Sequence, residues 1–280
     1  FPATLLGSGK NWTTLTNLST TEYLNYEGGK FSKSRNLGVF GSDVIKEGLA
    51  PHVWRFYLLA TRPETIDADF QWEDFVQKNN TEFVANCGNF VFRLLKLVES
   101  SFGGVVPPAS KEPDQRALEF IQEVEKHVTS YISLMDNLQL REALKAALHV
   151  SSATNSYLTA VAPWALLKKD PKDPAAGASV NLAVQATALL ATLMSPFVPT
   201  FSDELCRQLN FGLGKLRGPS FSFDVPDNHR VGENIVPIVE QIDGERIVSW
   251  WERYGSAHLN TITLDLKVGQ IVRVEAHPQG

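Results

Sequence analysis

Residues 83–98 read Phe83-Val84-Ala85-Asn86-Cys87-Gly88-Asn89-Phe90-Val91-Phe92-Arg93-Leu94-Leu95-Lys96-Leu97-Val98. At about 100° per residue, Phe83, Cys87, Phe90, Val91, Leu94 and Val98 fall on one side of a helix. Glu82, Asn86, Asn89, Arg93, Lys96 and Ser100 fall on the other. A continuous apolar stripe of this length must be buried against other elements, so the stretch predicts one member of a helical bundle. The helix should extend back to Trp72 and forward to about Phe102, where Gly103 and Gly104 stop it and Pro107, Pro108 and Pro113 form a loop. Asn89 and Arg93, four apart, become neighbours on its polar stripe.

Working outward, Asp114 is placed to cap a second helix running to about Asn137, with Leu118, Ile121, Val124, Val128 and Ile132 in register. A third runs from Leu140 to about Val161 and ends at Ala162, ahead of Pro163. The stretch from Ser179 to Ser195 is apolar nearly all round and should be the buried central helix; Thr200 to Leu209 forms a shorter last one. The fold class is therefore mainly α, with an antiparallel bundle of about five helices between residues 72 and 210. Upstream, residues 1–40 are loop-rich. Ser42 is a plausible helix cap, Gly48 a break, and Pro51 the first turn of a helix ending before Pro63. Downstream of Asn210 glycine and proline are frequent, Ile247 to Tyr254 forms a short helix, and a β-rich run from Leu264 to Val274 is broken at Gly269 as a bulged strand would be.

The chain has 280 residues, 43% of them hydrophobic and 20% charged, which fits about two globular domains and excludes disorder, collagen and coiled coil. A net charge of −5 counts against holding nucleic acid by bulk electrostatics, so any such contact must be local. Cys87 and Cys206 are too few for a disulfide framework and suit a reducing compartment, which makes the cytoplasm the expectation. Phe1 is no initiator methionine and no signal or transit segment follows it, so the chain reads as cut from something longer. No apolar run reaches the roughly 20 residues a membrane span needs, and no membrane role is expected. The six histidines (His52, His127, His149, His229, His258 and His277) are scattered without ligand spacing, so no metal site is expected.

The sharpest chemical signal is Gly28-Gly29-Lys30-Phe31-Ser32-Lys33-Ser34-Arg35. Two lysines three apart, two small hydroxyl residues and a glycine hinge can bring cationic donors onto a polyphosphate. Taken alone, the same string is better read as a solvated basic loop, because short motifs match by chance. It resembles the Lys-Met-Ser-Lys-Ser signature of class I aminoacyl-tRNA synthetases, matched by Lys30, Phe31, Ser32, Lys33 and Ser34 with Phe31 in place of Met. Within the class, Val53-Trp54-Arg55-Phe56-Tyr57-Leu58-Leu59, Arg62-Pro63-Glu64, Asp69-Phe70, Trp72-Glu73-Asp74-Phe75, Lys78-Asn79-Asn80, Gly88-Asn89-Phe90 and Ala162-Pro163-Trp164 are similar to eukaryotic-type methionyl-tRNA synthetases, over about residues 1–255.

The resemblance implies ATP-dependent attachment of methionine to tRNA(Met) through methionyl-adenylate, with ATP and Mg2+ as the nucleotide substrate. Lys30 and Lys33 would act on the ATP phosphates. Asn89, Arg93 and Trp164 occupy the positions that read the CAU anticodon in that family, and Lys168, Lys169 and Lys172 lie close to Trp164 in the chain. It also implies a division into the end of a Rossmann-type catalytic domain (1–40), a stem-contact connector (41–71), an anticodon-binding bundle (72–225), an extension (226–260) and the start of an OB-fold tRNA-binding module (261–280). Asp265-Leu266-Lys267-Val268-Gly269-Gln270-Ile271 and His277-Pro278 carry the last likeness, which points to a multi-synthetase or tRNA-binding cofactor association. The class's first signature, of His-x-Gly-His type, is absent from these residues, so the fragment is expected to be catalytically incomplete. The rival readings are a leucyl, isoleucyl, valyl or cysteinyl synthetase, and a non-catalytic tRNA-binding module of synthetase descent.

Overall fold

The computed structural model describes residues 2–255 except 215, 217, 219, 222 and 223; the expected strand of 264–274 and the module opening at 261 lie outside them. The chain begins with α1 (Pro2–Gly7) and reaches β1 (Leu24–Tyr26), which pairs in parallel with β2 (Ala68–Phe70) in the register Leu24 with Ala68, Asn25 with Asp69 and Tyr26 with Phe70. A parallel pair needs a crossover, and α2 (Gly41–Lys46) and α3 (Pro51–Ala60) supply it. Pro51 takes the first helical position, as its fixed φ favours. Ser42 is not the cap of α2: Phe40 is, and its backbone amide donates to Asp43 Oδ2 at 3.1 Å, so a carboxylate three residues on does the capping.

The long helix of the sequence reading is three windings in series. These are α4 (Trp72–Lys78), a π-helical stretch over Asn79–Gly88, and α5 (Asn89–Phe102). All six residues assigned to its apolar side are buried. The polar side holds less well, because π winding fits more residues into each turn and drifts from a 100° step. Asn86 consequently turns into the bundle, where its Nδ2 donates to Leu148 O and its Oδ1 accepts from Ser152 Oγ.

The helix α6 (Gln115–Asp136) starts at Asp114, whose Oδ1 accepts from Ala117 N at 2.7 Å. Its buried stripe is Ala117, Phe120, Val124, Val128 and Tyr131; Leu118, expected inside, is exposed. A tight turn leads to α7 (Leu140–Val161), which packs along α6 as a helical hairpin. Ala162 then adopts a left-handed conformation (φ 52°), and Pro163 opens a further short helix, α8 (Pro163–Lys169). The central helix α9 (Pro174–Met194) begins five residues before the expected Ser179, because Asp173 caps it through Ala176 N and Pro174 fills its first position. With 21 residues and a mean hydropathy of 1.4, α9 is long and apolar enough to cross a bilayer, contrary to the sequence expectation, but 83% of that window is buried inside the bundle. The last bundle helix, α10 (Pro199–Leu209), packs against it.

After α10 an irregular strap runs back over the bundle. Three amide side chains grip it by its main chain. Gln185 bonds both the N–H and C=O of Val225, Gln208 those of Val236, and Asn80 those of Ile242, at 2.8–3.3 Å. Val225, Val231, Ile235 and Val239 sink into the bundle core, and Gly232 passes so close to Arg207 O that a Cβ would sit 2.5 Å from it. The strap delivers α11 (Arg246–Tyr254) onto β1, α3 and α4. There Trp250 stacks on Trp72 with centroids 4.4 Å apart. Two hydrophobic clusters result: a large one within the bundle, and a smaller one of Tyr26, Trp54, Tyr57, Phe70, Trp72, Phe75, Trp250 and Tyr254 with a few aliphatics. The helix α3 belongs to both, giving Phe56 to the first and Trp54 and Tyr57 to the second.

Candidate functional site

The basic loop leaves β1 through a tight turn in which Glu27 (φ 48°) and Gly28 (φ 77°) are both left-handed, closed by Tyr26 N to Gly29 O and Gly29 N to Tyr26 O. Asp69, opposite on β2, accepts from Gly28 N with both carboxylate oxygens, at 3.1 and 3.0 Å. The base of the loop is a second bridge, Ser32 N to Leu37 O and Leu37 N to Ser32 O, spanned by one 3-10 turn over Lys33–Arg35. Phe31 is half-buried, its ring 5.1 Å from Tyr26 and 5.9 Å from Phe40. Gly38, at φ 123°, is where that ring closes on the backbone, and a Cβ there would collide with it. Phe31 is thus the apolar peg that roots the loop.

Lys30, Lys33 and Arg35 stand exposed, and among the described residues none forms an ion pair. Lys33 Nζ lies 5.3 Å above the Phe40 ring, and Arg35 Nε donates to Ser32 Oγ at 3.3 Å. Ser32 and Ser34 hydroxyls are 3.3 Å apart. Three exposed cations without a carboxylate partner among the described residues, on a pegged loop, have the chemistry to attract a polyanion.

The second set lies on the bundle. Asn89 opens α5 directly after the π-helical stretch, exposed and on the same face as Arg93 one turn on. Arg93 Nη2 donates to Asn155 Oδ1 of α7 at 2.9 Å, which fixes the plane of the guanidinium while leaving its other donors toward solvent. Trp164, second residue of α8, is 45% exposed. Arg93 and Trp164 line one cup of about 360 Å³ with Phe90, Leu94, Asn155 and Leu158. Asn89 lies outside that lining. Asn155 was invisible to sequence reasoning: it is one polar residue on a helix face, and nothing local says that α5 stands across from it. Lys168 and Lys169 occupy the last turn of α8, and with Lys172 they make no ion pair among the described residues.

No group of three or more His, Cys, Asp or Glu side chains that could hold a metal occurs among the described residues. The His127 and His149 rings do stack, at 5.0 Å, which their sequence separation did not suggest. Burial pushes the Cys87 thiol up to about 12, removing it as a nucleophile at neutral pH.

A basic loop on a parallel βαβ crossover, followed by a helical bundle, is the layout expected of a class I tRNA synthetase. The family model described as tRNA synthetases class I (M) matches residues 1–95, and that of the anticodon binding domain of methionyl tRNA ligase matches residues 106–258. The chain belongs to the methionyl-tRNA synthetase family. It is 39% identical over 285 residues to the probable cytoplasmic methionine–tRNA ligase of Dictyostelium discoideum, covering 99% of this chain and 37% of that protein. To the cytoplasmic methionine–tRNA ligase of Arabidopsis thaliana it is 38% identical, covering 92% of this chain and 34% of that one. The chain thus spans about a third of the length of these relatives. In fold it is similar to the crystal structure of Mycobacterium tuberculosis methionyl-tRNA synthetase bound by methionyl-adenylate, with a TM-score of 0.66 at 17% identity over 78% of this chain and 43% of that one.

Proposed function

We propose that the chain is the signature-loop and anticodon-reading portion of a cytoplasmic methionine–tRNA ligase, which joins methionine to tRNA(Met) in two ATP-dependent steps through methionyl-adenylate. The adenylate step moves negative charge onto departing pyrophosphate. Preorganised cations aimed at that charge accelerate the step, and Lys30 and Lys33 are assigned to it, with Ser32 and Ser34 shaping the loop. Mg2+ would enter with the ATP phosphates, since the described carboxylates offer it no built site.

Anticodon bases splayed out of their stack need an aromatic plane and fixed edge donors. The reading is carried by the cup that the half-exposed Trp164 shares with an Arg93 guanidinium steadied by Asn155. Asn89 is assigned to the same task, adding an amide one helical turn from Arg93. Association with a multi-synthetase or tRNA-binding cofactor assembly, and the division at residues 40, 71, 225 and 260, belong to the same proposal. Trp54, Trp72 and Trp250 are buried and Trp251 is half-buried, while Trp12 is as open to solvent as Trp164, so the Trp164 signal is read in a Trp12→Phe background. In that background, titrating the chain with a tRNA bearing a CAU anticodon should quench tryptophan fluorescence, and Trp164→Ala should remove most of the response and weaken binding by about 1–3 kcal/mol. Equal quenching by tRNAs with unrelated anticodons would defeat the assignment. A longer form of the protein lacking methionine-dependent ATP–pyrophosphate exchange would favour the non-catalytic binding module instead.

A further inference from the structure

The last carbonyls of any α-helix have no partner within the helix. Those of α11 find theirs in and around the signature loop. Gly38 N donates to Tyr254 O at 2.9 Å, Asn36 Nδ2 to Arg253 O at 3.4 Å, and Tyr26 OH to Gly255 O at 3.0 Å. Gly255, at φ 72° and ψ 164° where only glycine is at ease, lies so close that a Cβ would meet Asn36 O at 3.2 Å and Leu37 Cδ1 at 3.3 Å. The end of α11 is therefore the floor on which the loop's base rests.

A single carboxylate holds α11 in that place. Glu47, just past α2, has a side chain 3% exposed and accepts from Trp250 Nε1, Arg246 Nη2, Arg253 Nη1 and Tyr254 OH, so four residues of α11 converge on it. Arg246 also donates to Glu47 O at 2.8 Å. A buried carboxylate with this many donors resists removal, because losing it strands charges and donors together. We propose that Glu47 is a positioning residue, clamping α11 so that its terminal carbonyls fix the base of the signature loop and hold Lys30 and Lys33 over the nucleotide. The clamp couples residues about 200 positions apart, so whatever joins the chain after Gly255 is mechanically connected to the ATP loop through nine residues of helix.

The catalytic half of this inference rests on the proposed function; the mechanical half does not, and the test separates them. Lys30, Lys33 and Arg35 are exposed trypsin sites on the loop. Glu47→Gln should speed cleavage after them by about tenfold and expose the Gly38 amide to hydrogen exchange, while protection within α7 and α9 stays at its wild-type level. Tyr254→Phe, which keeps the ring and removes one donor, should move both readouts the same way by a smaller factor, and guards against misfolding of the first variant. In the whole enzyme the same changes should raise KM for ATP and slow adenylate formation, with binding of tRNA to the Arg93 and Trp164 cup within twofold of wild type. Unchanged cleavage and unchanged Gly38 exchange in both variants would overturn the clamp, as would a loosened loop with wild-type ATP kinetics in an active enzyme. Were the wild type itself inactive with methionine and ATP, the functional reading would fall, and the cleavage and exchange results alone would decide the clamp.

Discussion

The two hydrophobic clusters are built from different materials. Among the described residues, eight of the twelve buried members beneath the signature loop are aromatic, against nine of forty-three in the bundle. The bundle is mostly Leu, Val and Ala on helices, stabilised by area buried and close packing. The loop module adds directional contacts. Trp72 Nε1 donates to Tyr26 OH, Trp72 N to Glu27, and Tyr57 OH to Asp74, around stacked and edge-on rings. A core of area alone tolerates substitution by degrees, whereas one of rings and buried donors fixes geometry, which suits a platform for a loop proposed to aim Lys30 and Lys33.

The contrast can be broken most forcefully at Leu193, fully buried in α9. Leu193→Ala should cost about 2–5 kcal/mol by thermal or urea unfolding, with the loop's tryptic pattern unchanged below the midpoint. A crossed pair comes next. In the whole enzyme Lys33→Ala should slow pyrophosphate exchange by about a hundredfold while sparing tRNA affinity, and Arg93→Ala should do the reverse; equal effects of both changes on both assays would refute the division of labour. The Glu47 carboxyl sharpens the comparison through pH. Burial alone would raise it, but the hydrogen bonds from Tyr254, Trp250 and Arg246 and the charge of Arg253 prevail and hold it below the usual carboxylate range. A depressed folded value means stability present above the ordinary carboxylate range and lost as pH falls through the folded one. Near-ultraviolet dichroism of the Trp72–Trp250 stack should accordingly fade in acid before bundle helicity does, and in Glu47→Gln that pH dependence should vanish. The smallest change expected is Tyr131→Phe, which removes a bond to Leu193 O and should cost about 1 kcal/mol without altering either site.

The bundle was largely legible because its signals are local. Asp114 caps, Gly103 and Gly104 turn left-handed at φ 60° and 78°, and a 3.6-residue period marks buried stripes. Legibility failed where a local rule had two meanings. Pro163 ends one helix and also begins another, so α8, which carries Trp164, went unseen. Leu118 looked like core because it kept the period, but the true stripe of α6 is centred one residue earlier. Of the loop, sequence showed the cations and their spacing. It could not show Asp69 holding Gly28, Asn155 steadying Arg93, or α11 returning to Glu47, since contacts between residues 41 to 207 positions apart leave no periodic trace.

The apolar girth of α9 has a consequence for biosynthesis. A segment that by length and composition could be taken for a membrane span is hazardous when naked, whether to insertion machinery or to other unfinished chains. Its place in the order of synthesis limits that hazard: α5, α6 and α7, which form much of its sheath, have left the ribosome before α9 emerges, and only α10 and the strap arrive afterwards to seal it.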